Sequence, residues 1–527
     1  MVEKSTNSLS GVTSSTYETG ETGALLTRKF DIWSILALAF CVLGTWSTFA
    51  QGLANGLSNG GPVAILWGLC LVTVCNLCIA LSIGEICSSM PSALGQAYWI
   101  YRLWDTNTGR FVSYICAWIS TFGWWALTAS AIAFMSNFLL GMKVMFQQDW
   151  PGATTGWLQF VVYLAITVVL TLFNLVACRN DKILPYFNDF VGFWFFGLFL
   201  VISITLLACT GERPDVEFQP VSFALGGWIN ETGWSNGVVW FIGLLQSAYG
   251  LTAFDSIVHM IEEIPNPRRT GPKAIYLAVL ISAATGFLFM LVCMFCIQDV
   301  DGVINTPTGL PFIQLVQDVV GLKGGAVLIA FYIFNAIGQV VGVMTTASRL
   351  TWGFARDGGI PWSSYFSVID VEWKVPARSL VLQAVIIGLI GLLYLFATFV
   401  LEAIISVSTI ALTVSYAMPI ATLILVGRDK LPPGEFHLGS YGLCINIISL
   451  VYCAITTVFF FFPASPQPAP ADMNFAIVLF GVMLAIAIVF WIFKGRITYL
   501  QDGPSESSFQ ITEPAQVKDI QANLYPE

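Results

Sequence analysis

Charge is scarce in this chain. Only 10% of its 527 residues are Asp, Glu, Lys or Arg, against about 25% in soluble domains, which excludes an ordinary cytosolic enzyme. Histidine is scarcer still: His259 and His437 are the only two, too few for a histidine-rich metal centre. The net charge is −9 without any polybasic run, so no nucleic-acid partner is expected. Neither a His-Glu-x-x-His zinc-protease motif nor a Gly-Lys-Ser/Thr phosphate loop occurs, and the chain reads as neither an enzyme nor an ATP-driven pump, with no cofactor and no metal. The 12 cysteines lie within or beside apolar stretches. The Cys75/Cys78 and Cys293/Cys296 pairs are therefore read as helix packing rather than redox chemistry. No cleavable signal peptide is expected, and residues 1–31, rich in Ser, Thr, Glu and Gly, read as a disordered cytosolic tail.

Apolar residues are abundant, at 56%, and the mean hydropathy is +0.77. A helix needs roughly 20 residues to cross ~30 Å of hydrocarbon. Twelve apolar segments bounded by Gly, Pro and charge fit that length, near 32–57, 62–88, 111–141, 157–177, 184–209 and 236–261, then 273–297, 325–348, 379–399, 402–426, 442–462 and 474–493. The expected fold is an all-α polytopic membrane protein with twelve transmembrane helices at 32–494 and a second polar tail at 495–527. With a cytosolic N-terminus, all but three of the 22 lysines and arginines fall on the cytosolic side. Lys143, Arg213 and Lys323 are the exceptions. That asymmetry supports the span count and puts both termini in the cytosol. The Asn230-Glu231-Thr232 sequon falls in an outer loop, making Asn230 a glycosylation candidate.

No Lys or Arg lies in the interior of an expected span, Lys273 standing at the very start of the seventh, but Asp255 lies deep in the sixth. A carboxylate there is costly and faces a cavity or a partner. Two spans are interrupted by small and polar residues. The first reads Gly44-Thr45-Trp46-Ser47-Thr48-Phe49-Ala50-Gln51-Gly52, and the sixth Gly243-Leu244-Leu245-Gln246-Ser247-Ala248-Tyr249-Gly250-Leu251-Thr252-Ala253-Phe254-Asp255. They stand five spans apart. Interrupted helices at corresponding positions of two halves mark the binding site of an inverted-repeat transporter, whose freed backbone groups line a cavity. Small residues that let helices pack closely offer a plainer reading of the same glycines.

Further motifs sharpen this. Ser58-Asn59-Gly60-Gly61-Pro62, Gly84-Glu85, Met90-Pro91-Ser92-Ala93-Leu94-Gly95-Gln96-Ala97-Tyr98-Trp99, the run from Phe254-Asp255 through His259 and Glu262-Glu263 to Pro265-Asn266-Pro267, and Phe354-Ala355-Arg356-Asp357-Gly358-Gly359-Ile360-Pro361 stand out. Over roughly residues 30–495 the chain resembles the fungal amino acid/choline transporter family of the amino acid–polyamine–organocation superfamily, in its choline/GABA permease type. The resemblance implies a LeuT-like fold of five plus five inverted helices (repeat one 32–209, repeat two 236–426) and two extra helices at 442–493. It also implies secondary transport of amino acids, GABA, choline or similar small molecules, commonly coupled to protons.

In that family the first break corresponds to Thr45, Trp46, Ser47 and Thr48. Amino acid carriers often place a Gly-Ser-Gly sequence there to hold a carboxylate. Trp46 and Thr48 replace the two glycines here, and an indole face suits a quaternary ammonium through cation–π attraction of ~0.5–2 kcal/mol. Tyr249, Gly250, Phe254 and Asp255 complete the expected substrate site, with Trp124, Trp125 and Trp240 as further aromatic candidates. Asp255 is expected to act as counter-charge to a cation or to carry a proton. With His259, Glu262 and Glu263 it is expected to form an inner gate, held by Arg268, Arg269 or the Arg28-Lys29 pair. The expected cargo is choline or a related amino alcohol or quaternary ammonium. An amino acid or GABA permease, an alkaloid-like cargo, or a non-transporting nutrient sensor are the alternatives. The bilayer, and possible coupling protons, are the remaining partners; the plasma membrane is favoured over the vacuole.

Overall fold

The computed structural model describes residues 31–179, 183–369, 375–395, 400–468 and 473–501. The tail readings at 1–30 and 502–527 lie outside these residues. The described chain is helical, with an isolated β-bridge between Asn59 and Asn230.

The first expected span becomes three helices, α1 (Ile32–Leu43), α2 (Thr45–Gln51) and α3 (Leu53–Ser58). A capping box starts α1: Ser34 N donates to Asp31 Oδ1 at 2.8 Å, and Asp31 N to Ser34 Oγ at 2.9 Å. Then follow α4 (Gly61–Ser89), α5 (Gln96–Leu103), α6 (Asn107–Phe146), α7 (Gly156–Arg179), α8 (Ile183–Glu212) and the short α9 (Val221–Gly226). The sixth expected span is divided into α10 (Asn236–Gly250) and α11 (Ser256–His259). After α12 (Pro267–Cys296) come the short α13 (Val300–Ile304) and α14 (Pro311–Val320), then α15 (Leu322–Arg356), α16 (Ser363–Phe366), α17 (Ala377–Gly391) and α18 (Val400–Val426). The chain closes with α19 (Gly442–Phe459), α20 (Ala476–Phe490) and α21 (Arg496–Thr498).

Eleven helices among the described residues are long and apolar enough to cross a membrane. That count takes α1 and α2 as one span, Ile32–Gln51; of the twelve expected, the sixth, 236–261, is not among them because its break leaves two pieces, each too short. In the bundle, α4 packs on α12, and α6 packs on α18 and α15. The broken segments sit among them: α1 lies against α12, α8 and α15, and α10 against α4. The peripheral helices behave oppositely. In α7, Val168, Val169, Leu172 and Val176 are exposed, as are Ile477, Val478, Val482 and Val489 of α20. Apolar side chains facing outward are what a lipid solvent allows. This is a multi-pass membrane protein.

Candidate functional site

The two breaks meet. Gly44 takes φ +55, a left-handed conformation that ends α1 and costs a glycine little. A side chain there would also displace the Gln339 amide. At the second break, residues 251–255 leave the helix, and Ala253 is held at φ +67. A non-glycine residue so placed stores strain that its surroundings must overcome. They do so by hydrogen bonding. Thr45 Oγ1 donates to Gly250 O at 2.6 Å, Gln246 Nε2 to Phe49 O at 3.0 Å and Asn76 Nδ2 to Leu251 O at 3.2 Å, while Ala253 N donates to Tyr416 Oη at 3.1 Å. Gly250 lets α2 approach: a Cβ there would lie 2.8 Å from the Phe49 ring and 3.0 Å from Thr48 Oγ1.

Asp255 follows the break and is wholly buried. Tyr416 Oη donates to its Oδ1 at 2.7 Å; Gln96 Nε2 at 2.8 Å and Trp124 Nε1 at 3.3 Å donate to Oδ2. His259 Nε2 stands 3.0 Å from the same Oδ2, and its Nδ1 lies 2.9 Å from Ala93 O. A carbonyl only accepts, so Nδ1 carries a hydrogen. A neutral ring would then turn its Nε2 lone pair on a carboxylate oxygen. The contact therefore requires a proton between Nε2 and Oδ2, as imidazolium with carboxylate or imidazole with carboxylic acid.

At one end of the bundle a cavity of about 570 Å³ runs inward to Thr48 and Tyr249. The same two residues line a small void of about 10 Å³ at the breaks, with Leu43, Thr252, Ala253 and Gln339. The opposite end is closed by ion pairs. Arg349 Nε meets Glu263 Oε1 at 3.0 Å with both side chains buried, and Arg356 Nη1 lies 3.3 Å from Glu262 Oε2. Ala93 N donates to Glu262 Oε1 at 3.2 Å, and Arg428 Nη2 meets Glu85 Oε2 at 2.7 Å. A continuous chain thus links the breaks to the closed end, from Ala253 through Tyr416, Asp255, His259 and Ala93 to Glu262.

Several expected site residues lie together and others do not. Thr48 and Tyr249 line the cavity, and Tyr249 Oη is 2.8 Å from Ser130 Oγ. Thr45 and Gly250 clamp the breaks, while Ser47 O accepts from Tyr332 Oη at 2.5 Å. Trp46 points elsewhere. It is wholly buried against Phe195, Phe199, Phe289 and Tyr332, at ring separations of 5.0, 6.3, 5.1 and 6.0 Å, and lines neither cavity. Helical geometry explains this, because positions 46 and 48 face different sides of α2. The cation–π contact expected of Trp46 has no support from its position. Phe254 is likewise buried, 4.8 Å from the Tyr416 ring, and Asp255 has no face on either cavity.

The acids of the gate find partners other than those expected. Glu262 and Glu263 pair with Arg356 and Arg349 of α15 rather than with Arg268 or Arg269; Arg28 and Lys29 lie outside the described residues. Packing of α11 on α15 supplies cations some 90 positions away, which proximity in sequence does not reveal. Asn230, the sequon residue, is half-buried, and its Nδ2 donates to Trp234 O at 2.8 Å and Asn236 Oδ1 at 3.1 Å. The segments Gly56-Leu57-Ser58-Asn59-Gly60 and Gly233-Trp234-Ser235-Asn236-Gly237 have the Gly-x-Ser-x-Gly spacing of a hydrolase. Ser58 ends α3 and Ser235 precedes α10, however, and neither follows a strand among the described residues, as the strand-to-helix turn that exposes such a nucleophile requires.

Sequence reading missed Gln96, Asn76, Gln246 and Tyr416. Gln96 stands in the Met90–Trp99 motif, and polar side chains inside apolar spans mark Asn76 and Gln246. Tyr416 carries no signal of that kind.

A bundle of membrane helices, two of them broken where a cavity ends, defines a membrane transporter. The chain belongs to the amino acid permease family, whose model matches residues 30–484. Over 473 residues it is 31% identical to a choline transporter of Saccharomyces cerevisiae, covering 89% of this chain and 82% of that one. It is 28% identical to a homologue of an amino-acid permease in Oryza sativa subsp. japonica, covering 90% and 94% of the two chains. An amino-acid permease of Arabidopsis thaliana is 24% identical, with 89% and 92% covered.

Proposed function

We propose that the chain is a secondary transporter of choline or a related quaternary ammonium or amino alcohol, working by alternating access and carrying no catalytic activity. The observation that supports this most directly is the contrast of the two ends: a cavity reaches the breaks from one side, and buried ion pairs close the other. In this reading 32–209 and 236–426 are inverted repeats, and the helices of 442–493 are additional. The open end faces outward from the plasma membrane and the closed end, with both termini, faces the cytosol. Likeness to a choline transporter supports the cargo. Cargo is held near Thr48, Tyr249 and the break backbone at 251–253. Asp255 acts through Tyr416 and His259, linking the break to the Glu262 and Glu263 gate, rather than touching cargo in this conformation.

The proton required between His259 and Asp255 favours a second reading, a proton-coupled amino acid or GABA permease. Purified protein in proteoliposomes separates the two. A monovalent cation gains about 2.3 kcal/mol per 100 mV, so inside-negative potential alone concentrates choline about fifty-fold. The expected result is choline uptake driven by potential without a pH gradient. Uptake of GABA or a neutral amino acid that needs an inward proton gradient, with none of choline, overturns the first reading for the second. Binding without uptake of either establishes a sensor.

A further inference from the structure

We infer that the wide cavity is itself a binding site for organic ammonium ions, with Glu402 as its cation-selecting residue. This rests on the transporter reading for its purpose but not for its chemistry. Glu402 is the third residue of α18 and Glu231 lies in the loop before α10; both are exposed and both line the cavity. No Lys, Arg or His lines it among the described residues. Two of the three cations at this end of the bundle are engaged elsewhere: Lys143 Nζ sits 4.0 Å over the Trp150 ring, and Arg213 pairs with Asp215; Lys323 does not line the cavity. Glu402 makes no ion pair or hydrogen bond among the described residues.

Two neutral side chains of the wall, Asn59 and Gln246, add unpaired acceptors. Asn59 and Gln246 are 6% and 5% exposed, and each uses its amide nitrogen on a carbonyl, Asn55 O and Phe49 O. Those bonds fix the amide orientation and leave Asn59 Oδ1 and Gln246 Oε1 without partners. Buried unpaired acceptors are costly and call for a donor or a positive charge. Phe459, Phe460 and Phe462 add aromatic surface near the mouth, and Tyr249 at the floor. Carboxylate, surplus acceptors and rings together suit a small ammonium ion and disfavour an anion. The cation meets Glu402 first and then descends to Thr48 and Tyr249.

The test is calorimetric titration of the full-length protein in detergent with choline and with 3,3-dimethyl-1-butanol, its uncharged carbon analogue. Wild type is expected to bind choline well above the alcohol. Glu402→Gln should weaken choline about tenfold, a factor equal to ~1.4 kcal/mol, and leave the alcohol unchanged. Glu402→Asp should restore part of the loss. Lowering ionic strength from 0.15 to 0.01 M lengthens the screening distance from about 8 to about 30 Å, so choline affinity should rise more in wild type than in Glu402→Gln. Equal choline affinity in wild type and a monodisperse Glu402→Gln protein overturns the inference, as does equal affinity for the alcohol or no choline binding at all. If Glu402-dependent binding persists while proteoliposomes take up no choline, the transport reading fails and this site stands. If choline is transported without dependence on Glu402, the reverse holds.

Discussion

The two ends of the bundle hold their charges in opposite ways. At the closed end the acids are paired: Glu263 with Arg349, Glu262 with Arg356, Glu85 with Arg428. At the open end Glu231 and Glu402 line a cavity that no Lys, Arg or His lines among the described residues. Buried ion pairs are rigid because losing one partner strands a charge, whereas exposed carboxylates cost little and attract counter-ions. A gate and a mouth thus use the same residue types for different ends. In the alternating-access cycle proposed above, opening the closed end would have to break these ion pairs.

Breaking the closed end should have the largest effect. Arg349→Met leaves Glu263 buried without its partner and should cost about 3–5 kcal/mol. Joint replacement of both residues by apolar ones should recover most of it. Thermal unfolding in detergent measures both. A single variant as stable as wild type would show that the pair does not lock this end.

A comparison of two aromatic residues sharpens the contrast near the breaks. Trp46→Ala empties a wholly buried site and should destabilise the fold by about 3–5 kcal/mol, with little change in cargo affinity of the folded fraction. Tyr249→Ala opens onto the cavity and should weaken cargo binding more than it lowers stability. Paired melting and binding curves decide it; the opposite ranking would return Trp46 to the binding site. The smallest effect is expected from Tyr249→Phe, which removes only the bond to Ser130 and should cost about 0.5–1.5 kcal/mol. A much larger loss of binding in that variant would mean that the hydroxyl contacts cargo directly.

The C-terminal segment shows a further limit of reading by composition. Residues from 495 onward read as tail, yet Tyr499 is wholly buried with its hydroxyl 2.8 Å from Ser113 Oγ, and Leu500 N donates to Asp357 O at 3.0 Å. One aromatic side chain in a polar stretch is enough to anchor a strap when a matching site exists on α6. Nothing in the stretch itself shows that site.

By itself the sequence determined the solvent and the architecture of this protein. Apolar runs long enough to cross a bilayer, sparse charge and glycine-marked breaks depend on composition and spacing, which are local properties. The family was legible for the same reason, since its motifs are contiguous. Tertiary structure alone decided which side chains face the cavity and which charges meet. Trp46 and Thr48 are two positions apart, yet the rotation of α2 sends one into the aromatic core and the other to the cavity floor. Glu263 finds Arg349, and Asp255 finds Gln96 and Tyr416, across separations of 86 to 161 residues. Such contacts follow from how helices rotate and pack against each other, and no local pattern of residues encodes that rotation.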